Sequence, residues 1–167
     1  MRLDSRALLL SCITATVAST AAAGTVTVSF VNAPGFSDAG STPWEEKSNL
    51  HALAQHLQGL GQRLLPADQV LKVEVLDVDL AGTMRPSRRA GADLRIVRGG
   101  ADWPRINLRY TLEVNGKPWR SGEESVADMN YSNGLVGVRG SEPLHYEKHM
   151  LDAWFKARFA ERSAAAD

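Results

Sequence analysis

The chain has 167 residues, a length that fits one domain with a core of its own. With 44% hydrophobic and 23% charged residues it reads as an ordinary globular protein, and its formal net charge of zero offers nothing general to nucleic acid or an acidic membrane surface. Its single cysteine, Cys12, lies so near the start that removal of a leader would leave no disulfide and no thiolate metal site.

Residues 1–23 read as an export signal. Arg2 and Arg6 give a basic start, Ala7 to Ala18 is mostly apolar, and Ala21-Ala22-Ala23 offers a small-residue cleavage site before Gly24. Asp4 is out of keeping with such a start. The apolar run is too short to span a bilayer as a mature helix, so no transmembrane segment is expected after cleavage. Leu9 to Cys12 resembles a lipoprotein processing box, but the apolar run before Cys12 is about half the usual length, and ordinary cleavage is the expectation. Cleavage takes Arg2, Arg6 and Asp4 from 19 basic and 19 acidic residues and leaves a net charge of −1.

From Thr25 to Val31, Val26, Val28 and Phe30 alternate with Thr25, Thr27 and Ser29, the period of a strand with one buried face. Residues 32–41 form a loop rich in Gly, Pro, Asp and Ser. A helix follows. Thr42 caps it, Pro43 suits its first position, and Glu45 completes a T-x-x-E capping box. Leu50, Leu53, Leu57, Leu60 and Leu64 make one apolar stripe, and Pro66 ends the helix. Gly59 and Gly61 are expected to weaken its last turns by about 1 kcal/mol each relative to alanine.

Residues 69–82 form the strand around which the rest is organised. Leu71, Val73 and Val75 share a face, but Leu76, Val78 and Leu80 follow, so the buried face changes sides. A bulge near Val75–Leu76, or burial of both faces, accounts for the slip. Residues 82–91 read as an exposed loop, residues 92–97 as a strand burying Leu94 and Ile96, and Gly99-Gly100 as a turn. The clearest strand spans residues 103–114, with Ile106, Leu108, Tyr110, Leu112 and Val114 facing in. Asn115-Gly116 suits a type I′ hairpin turn.

The return strand runs from Lys117 to about Asp128, and Pro118 makes its beginning an edge. A regular hairpin would turn Ser125 inward, so an extra residue at Gly122 is expected. That shift sets Val126 beside Ile106 and Glu123 opposite Arg109, and turns Glu124 inward in need of a partner. After a looser stretch over 129–141, a second helix starts near Pro143. Its face of Tyr146, Met150, Leu151, Trp154, Phe155 and Phe159 is core, and residues 161–167 are a frayed tail.

These elements define an α+β domain over residues 24–160, in the order β-α-β-β-β-β-α. The sheet is mixed and mainly antiparallel, of about five strands, with both helices on one face. A strand–helix–strand start implies one parallel pair. VEVLDVDLAG (73–82), DWPRINLRYTLEVNG (102–116), SGEESVADMNY (121–131) and HYEKHMLDAWFKARFA (145–160) resemble an exported bacterial family known only as domain of unknown function 3016. The resemblance implies an envelope or secreted location. It brings no activity, ligand or catalytic residue.

No nucleophile elbow, P-loop or H-E-x-x-H motif is present, and no cofactor is implied. His51 and His56 are five apart and do not share a helix face. His145 and His149 are four apart and do, but no third ligand follows at a recognisable spacing. Asp77, Asp79 and Asp128 are the candidates for a Ca²⁺ or Mg²⁺ site or an acid/base pair. The competing expectation is that they serve the fold, by receiving loop amides or pairing with Arg105 and Arg109.

Seven arginines between residues 85 and 109 outnumber Asp93 and Asp102. Arg85, Arg88, Arg89, Arg105 and Arg109 are the candidates for binding an anionic envelope component, such as a lipid headgroup or a polymer. The alternative is solvated strand and loop arginines balanced by Asp77, Asp79 and Glu123. The functional expectation is a non-enzymatic binding or accessory module, whose partner is an unknown envelope protein or that anionic component. A metal-assisted hydrolase using the three aspartates and a structural subunit of an envelope assembly are the alternatives.

Overall fold

In the computed structural model, residues 23–87, 92–98, 100–131 and 143–160 are described. The expected leader with Cys12, Arg88, Arg89, most of the 129–141 stretch and the 161–167 tail lie outside them. The central strand, β2 (Gln69–Asp79), is flanked by β1 (Thr25–Phe30) in parallel and by β5 (Arg105–Val114) antiparallel. Outside β5 lies β6 (Lys117–Ala127), so the sheet order is β1-β2-β5-β6 and β6 is an edge, as Pro118 requires. Asn115 and Gly116 both have positive φ, at 51° and 73°, as a type I′ turn demands.

The α+β class holds, and so does the mixed, mainly antiparallel character of the sheet. The sheet itself has four strands. Residues 82–91 are not all loop: β3 (Thr83–Ser87) pairs with β4 (Ala92–Ile96) in a separate two-stranded ribbon, and β2 lies directly against β5. The expected burial of Leu94 fails with this. Leu94 sits opposite Arg85 on the outer side of the ribbon and is 48% exposed. Its neighbour Arg95 is the residue that turns inward.

The bulge in β2 is where the apolar pattern slips, between Val75 and Asp77, with Leu76 as the extra residue. β6 also carries one, but not at Gly122. The extra residue is Trp119, next to the turn, and the ladder runs unbroken from Arg120 to Ala127. The consequences expected downstream are all present: Val126 faces Ile106, Glu123 faces Arg109, and inward-turned Glu124 accepts hydrogen bonds from Trp154 Nε1 and Arg158 Nε, both at 3.0 Å. Gly122 has another task. The ring of Tyr110 lies over it, 3.0 Å from where a Cβ would be.

Helix α1 (Pro43–Leu64) and helix α2 (His145–Phe155), which runs on into a π-turn at Lys156–Ala160, share one core with the sheet. Leu50, Leu53, Leu57 and Leu60 from α1 meet Val26, Leu71, Val73 and Leu108 from the strands, and Leu151, Phe155 and Phe159 complete the cluster. The helices are joined at the surface by His56 Nε2 and Asp152 Oδ1 at 2.8 Å. On the opposite sheet face, Arg109 bridges Glu74 and Glu123 across three strands, at 3.1 and 2.9 Å. No helix among the described residues is long and apolar enough to cross a membrane.

Candidate functional site

The loop after β1 is held against the far end of β2. Asp38 N donates to Val78 O and Leu80 N donates to Asp38 O, so the loop continues the parallel pairing beyond the bulge. Asp77 fixes this course. Its carboxylate accepts Ser37 N at 2.7 Å and Ser37 Oγ at 2.8 Å. The loop thereby presents the Asp38 carboxylate, and Arg95 grips it with both terminal nitrogens, at 2.8 and 2.9 Å. Nη1 also reaches Ala81 O at 3.4 Å. The ribbon is thus tied to the end of β2 through a bidentate ion pair.

A cleft of about 300 Å³ opens where this ribbon, the first turns of α1 and the start of α2 meet. Glu45 and Asn49 line it from α1, Leu80 and Ala81 from the end of β2, and Arg95 and Val97 from the ribbon. His145 and Glu147 come from α2. Glu147 is 3% exposed, and its Oε1 accepts Ala81 N at 2.8 Å. Burial raises its pKa above the usual carboxylate value. The Ala81 amide and the more distant Arg95 only partly oppose that.

His145 Nε2 is buried and has no hydrogen-bond partner among the described residues. Leu144, the residue before α2, lines the same cleft in the left-handed region at φ 59°, ψ 32°, an uncommon conformation for a bulky side chain. Glu45 remains ionised: the Ser41 hydroxyl, then the Ser41 amide, lower its pKa. The reciprocal arm of the capping box is shifted by one residue, since Glu45 takes Ser41 N at 2.9 Å while Thr42 Oγ1 takes Glu45 N at 3.2 Å.

The aspartates singled out from the sequence do not form this site. Asp77 holds Ser37. Asp79 pairs with Arg105 at 3.0 Å and receives no loop amide among the described residues; its pKa is raised, by burial first, with Arg105 opposing. Asp128 accepts Asn130 N at 2.9 Å and stands 4.0 Å from His149 Nδ1. Among the described residues no group of three or more His, Cys, Asp or Glu side chains is placed to hold a metal ion. Of the arginines, Arg95, Arg105 and Arg109 are paired with carboxylates, and Arg85 is exposed on the ribbon.

Sequence reasoning missed Glu147, and the signal was there. Glu147 precedes Met150 by three residues and Leu151 by four, so it lies on the apolar stripe of α2. The fold and the cleft define a small α+β domain with a polar recess between its helix starts and its ribbon. A family model described as a protein of unknown function, DUF3016, matches residues 24–157, and the chain belongs to that family. No curated protein and no solved structure matches it.

Proposed function

We propose that this protein is a non-enzymatic binding module exported to the bacterial cell envelope, and that the cleft between Glu45, Arg95, His145 and Glu147 is where it binds. The observation that carries this reading is the state of Glu147. A glutamine would serve the Ala81 amide equally well. A buried carboxyl group instead carries a desolvation cost with no cation directly against it among the described residues, because the terminal nitrogens of Arg95 are engaged by Asp38. Such a group in a concave site favours ligand recognition over a purely structural role.

The metal-assisted alternative loses support because Asp77, Asp79 and Asp128 each have a separate partner. The anionic-component reading loses it because Arg105 and Arg109, two of its five candidate arginines, already face carboxylates. Among the described residues the exposed large apolar side chains, Val31, Trp44, Leu94, Trp119 and Met129, come from separate elements and loops of the chain and give the subunit reading no particular advantage.

Export is supported by the basic and apolar character of residues 1–23, and by a family match that begins at Gly24, the residue after the expected cleavage. Native mass spectrometry of the protein isolated from the envelope fraction of its producing cell tests the proposal. The expected species starts at Gly24 and carries a non-covalent small molecule. Retention of Met1 or an acylated Cys12 terminus overturns the export route, and a ligand-free species under gentle ionisation overturns the binding role.

A further inference from the structure

The lining of the cleft has an imbalance that specifies its occupant. Two of its donor groups are engaged: the terminal nitrogens of Arg95 face Asp38 and Ala81 O, and Asn49 Nδ2 donates to Ala39 O at 3.0 Å, while the Tyr146 hydroxyl in the same lining can both donate and accept. Because Ala39 O can only accept, Asn49 Oδ1 must be the free end of that amide. The acceptors are left over. Glu147 has one oxygen with no donor from another residue among the described residues, Glu45 has Oε1 in the same position, and His145 Nε2 is an acceptor in its Nδ1–H tautomer.

The charges point the same way. Arg95 is paired with Asp38, which leaves Glu45 and Glu147 as the carboxyl groups of the recess among the described residues. Both helices start at the cleft, and each already carries a first-turn carboxylate, Glu45 in α1 and Glu147 in α2, to meet its positive end. Leu80, Val97 and Leu144 give an apolar wall for a short carbon chain.

We infer that the cleft binds a small organic cation bearing a primary ammonium group, held by Glu147, Glu45, Asn49 Oδ1 and His145 Nε2. This rests on the cleft being the binding site of the protein, and the test keeps the two apart. The full chain is titrated with 1,5-diaminopentane, 1,5-pentanediol, glutarate and Ca²⁺, three of them matched in carbon chain, by calorimetry and by the amide resonance of Ala81. The diamine is expected to bind saturably and shift the Ala81 resonance, and the other three are not.

Glu147→Gln keeps the shape and the Ala81 hydrogen bond, and is expected to weaken diamine binding at least tenfold while the protein stays folded. Binding of the diol, glutarate or Ca²⁺ at Ala81 in place of the diamine overturns the ligand class and leaves the cleft as a binding site. Diamine binding unaffected by Glu147→Gln places the cation elsewhere and overturns the inference. If no compound moves Ala81, the inference fails, and the species isolated from the producing cell then decides separately whether the cleft binds at all.

Discussion

A carboxyl group whose pKa is raised by burial responds to pH in a definite direction. The pKa of Glu147 is raised above its usual 4.5, so just above 4.5 the folded chain keeps a proton that the unfolded chain has released. Stability falls as pH rises through that window, and above it the ionised group carries the full cost. Glu147→Gln cannot ionise. It should match the wild type below pH 4.5 and melt higher at pH 8. Thermal melts of both proteins across pH check this, and a variant less stable than the wild type at pH 8 refutes it. Asp77 and Asp79 separate in the same manner. Asp77→Ala removes two bonds to a charged acceptor that pin Ser37, worth about 1–2 kcal/mol at this exposed position, or roughly 2–8 °C of melting temperature. Asp79→Asn should change stability by no more than about 0.5 kcal/mol, because burial already opposes its charge and its pair with Arg105 is half-exposed. Equal losses for the two variants in denaturant melts would contradict this division. The alternation of Asp77 and Asp79 with apolar residues was visible in the chain. Which of them receives an amide depends on the loop carrying Ser37, forty residues away, and no local pattern reports that.

At the scale of elements, α1 shows two glycines with opposite meanings. Both stand in its last turns, and from propensity alone both weaken it. A Cβ at Gly59 would meet only the flexible end of Arg63, whereas one at Gly61 would collide with the Val26 side chain on β1. Gly61 therefore sets how closely the helix lies on the sheet. Gly59→Ala should stabilise by about 0.5–1 kcal/mol, and Gly61→Ala should destabilise by about 1–3 kcal/mol through overpacking. Chemical denaturation of the two variants distinguishes them, and a shared sign would be wrong for this account. Helix starts, the β2 bulge and the β5–β6 hairpin were legible because capping residues, apolar period and turn residues act over a few positions. The ribbon was not. Leu94 and Ile96 alternate as a buried strand would, but the ribbon stands off the sheet, and its inward contact is the Arg95–Asp38 ion pair, which a hydrophobic pattern cannot display. The β6 bulge was legible in its effect, the outward shift of Ser125, and not in its place. Either Trp119 or Gly122 restores the face of Val126, and the packing of Tyr110 over Gly122 selects Trp119.

The whole molecule constrains where the chain can begin. Gly24 N donates to Leu65 O at 2.9 Å, and Thr25 opens the parallel pairing of β1 with β2. Cleavage after Ala23 would leave an ammonium at Gly24 that still donates to Leu65 O and, among the described residues, would remove the isolated bridge between Ala23 and Pro66. Among the described residues, the core keeps its contacts when the expected leader departs. β1 cannot. Val26 fills the approach of Gly61, Val28 and Phe30 pack against the same core, and without them β2 becomes an edge beneath an uncovered helix. Two shortened chains test this directly. A chain starting at Gly24 should melt within about 2 °C of the full chain, a difference of under roughly 1 kcal/mol. A chain starting at Val31 loses a strand and a wall of the core, and should show no cooperative melt by circular dichroism. Cooperative unfolding of the shorter chain would mean that β1 is dispensable. Loss of stability on starting at Gly24 would mean that the folded domain needs residues upstream of the family match, which counts against a leader cleaved at that point.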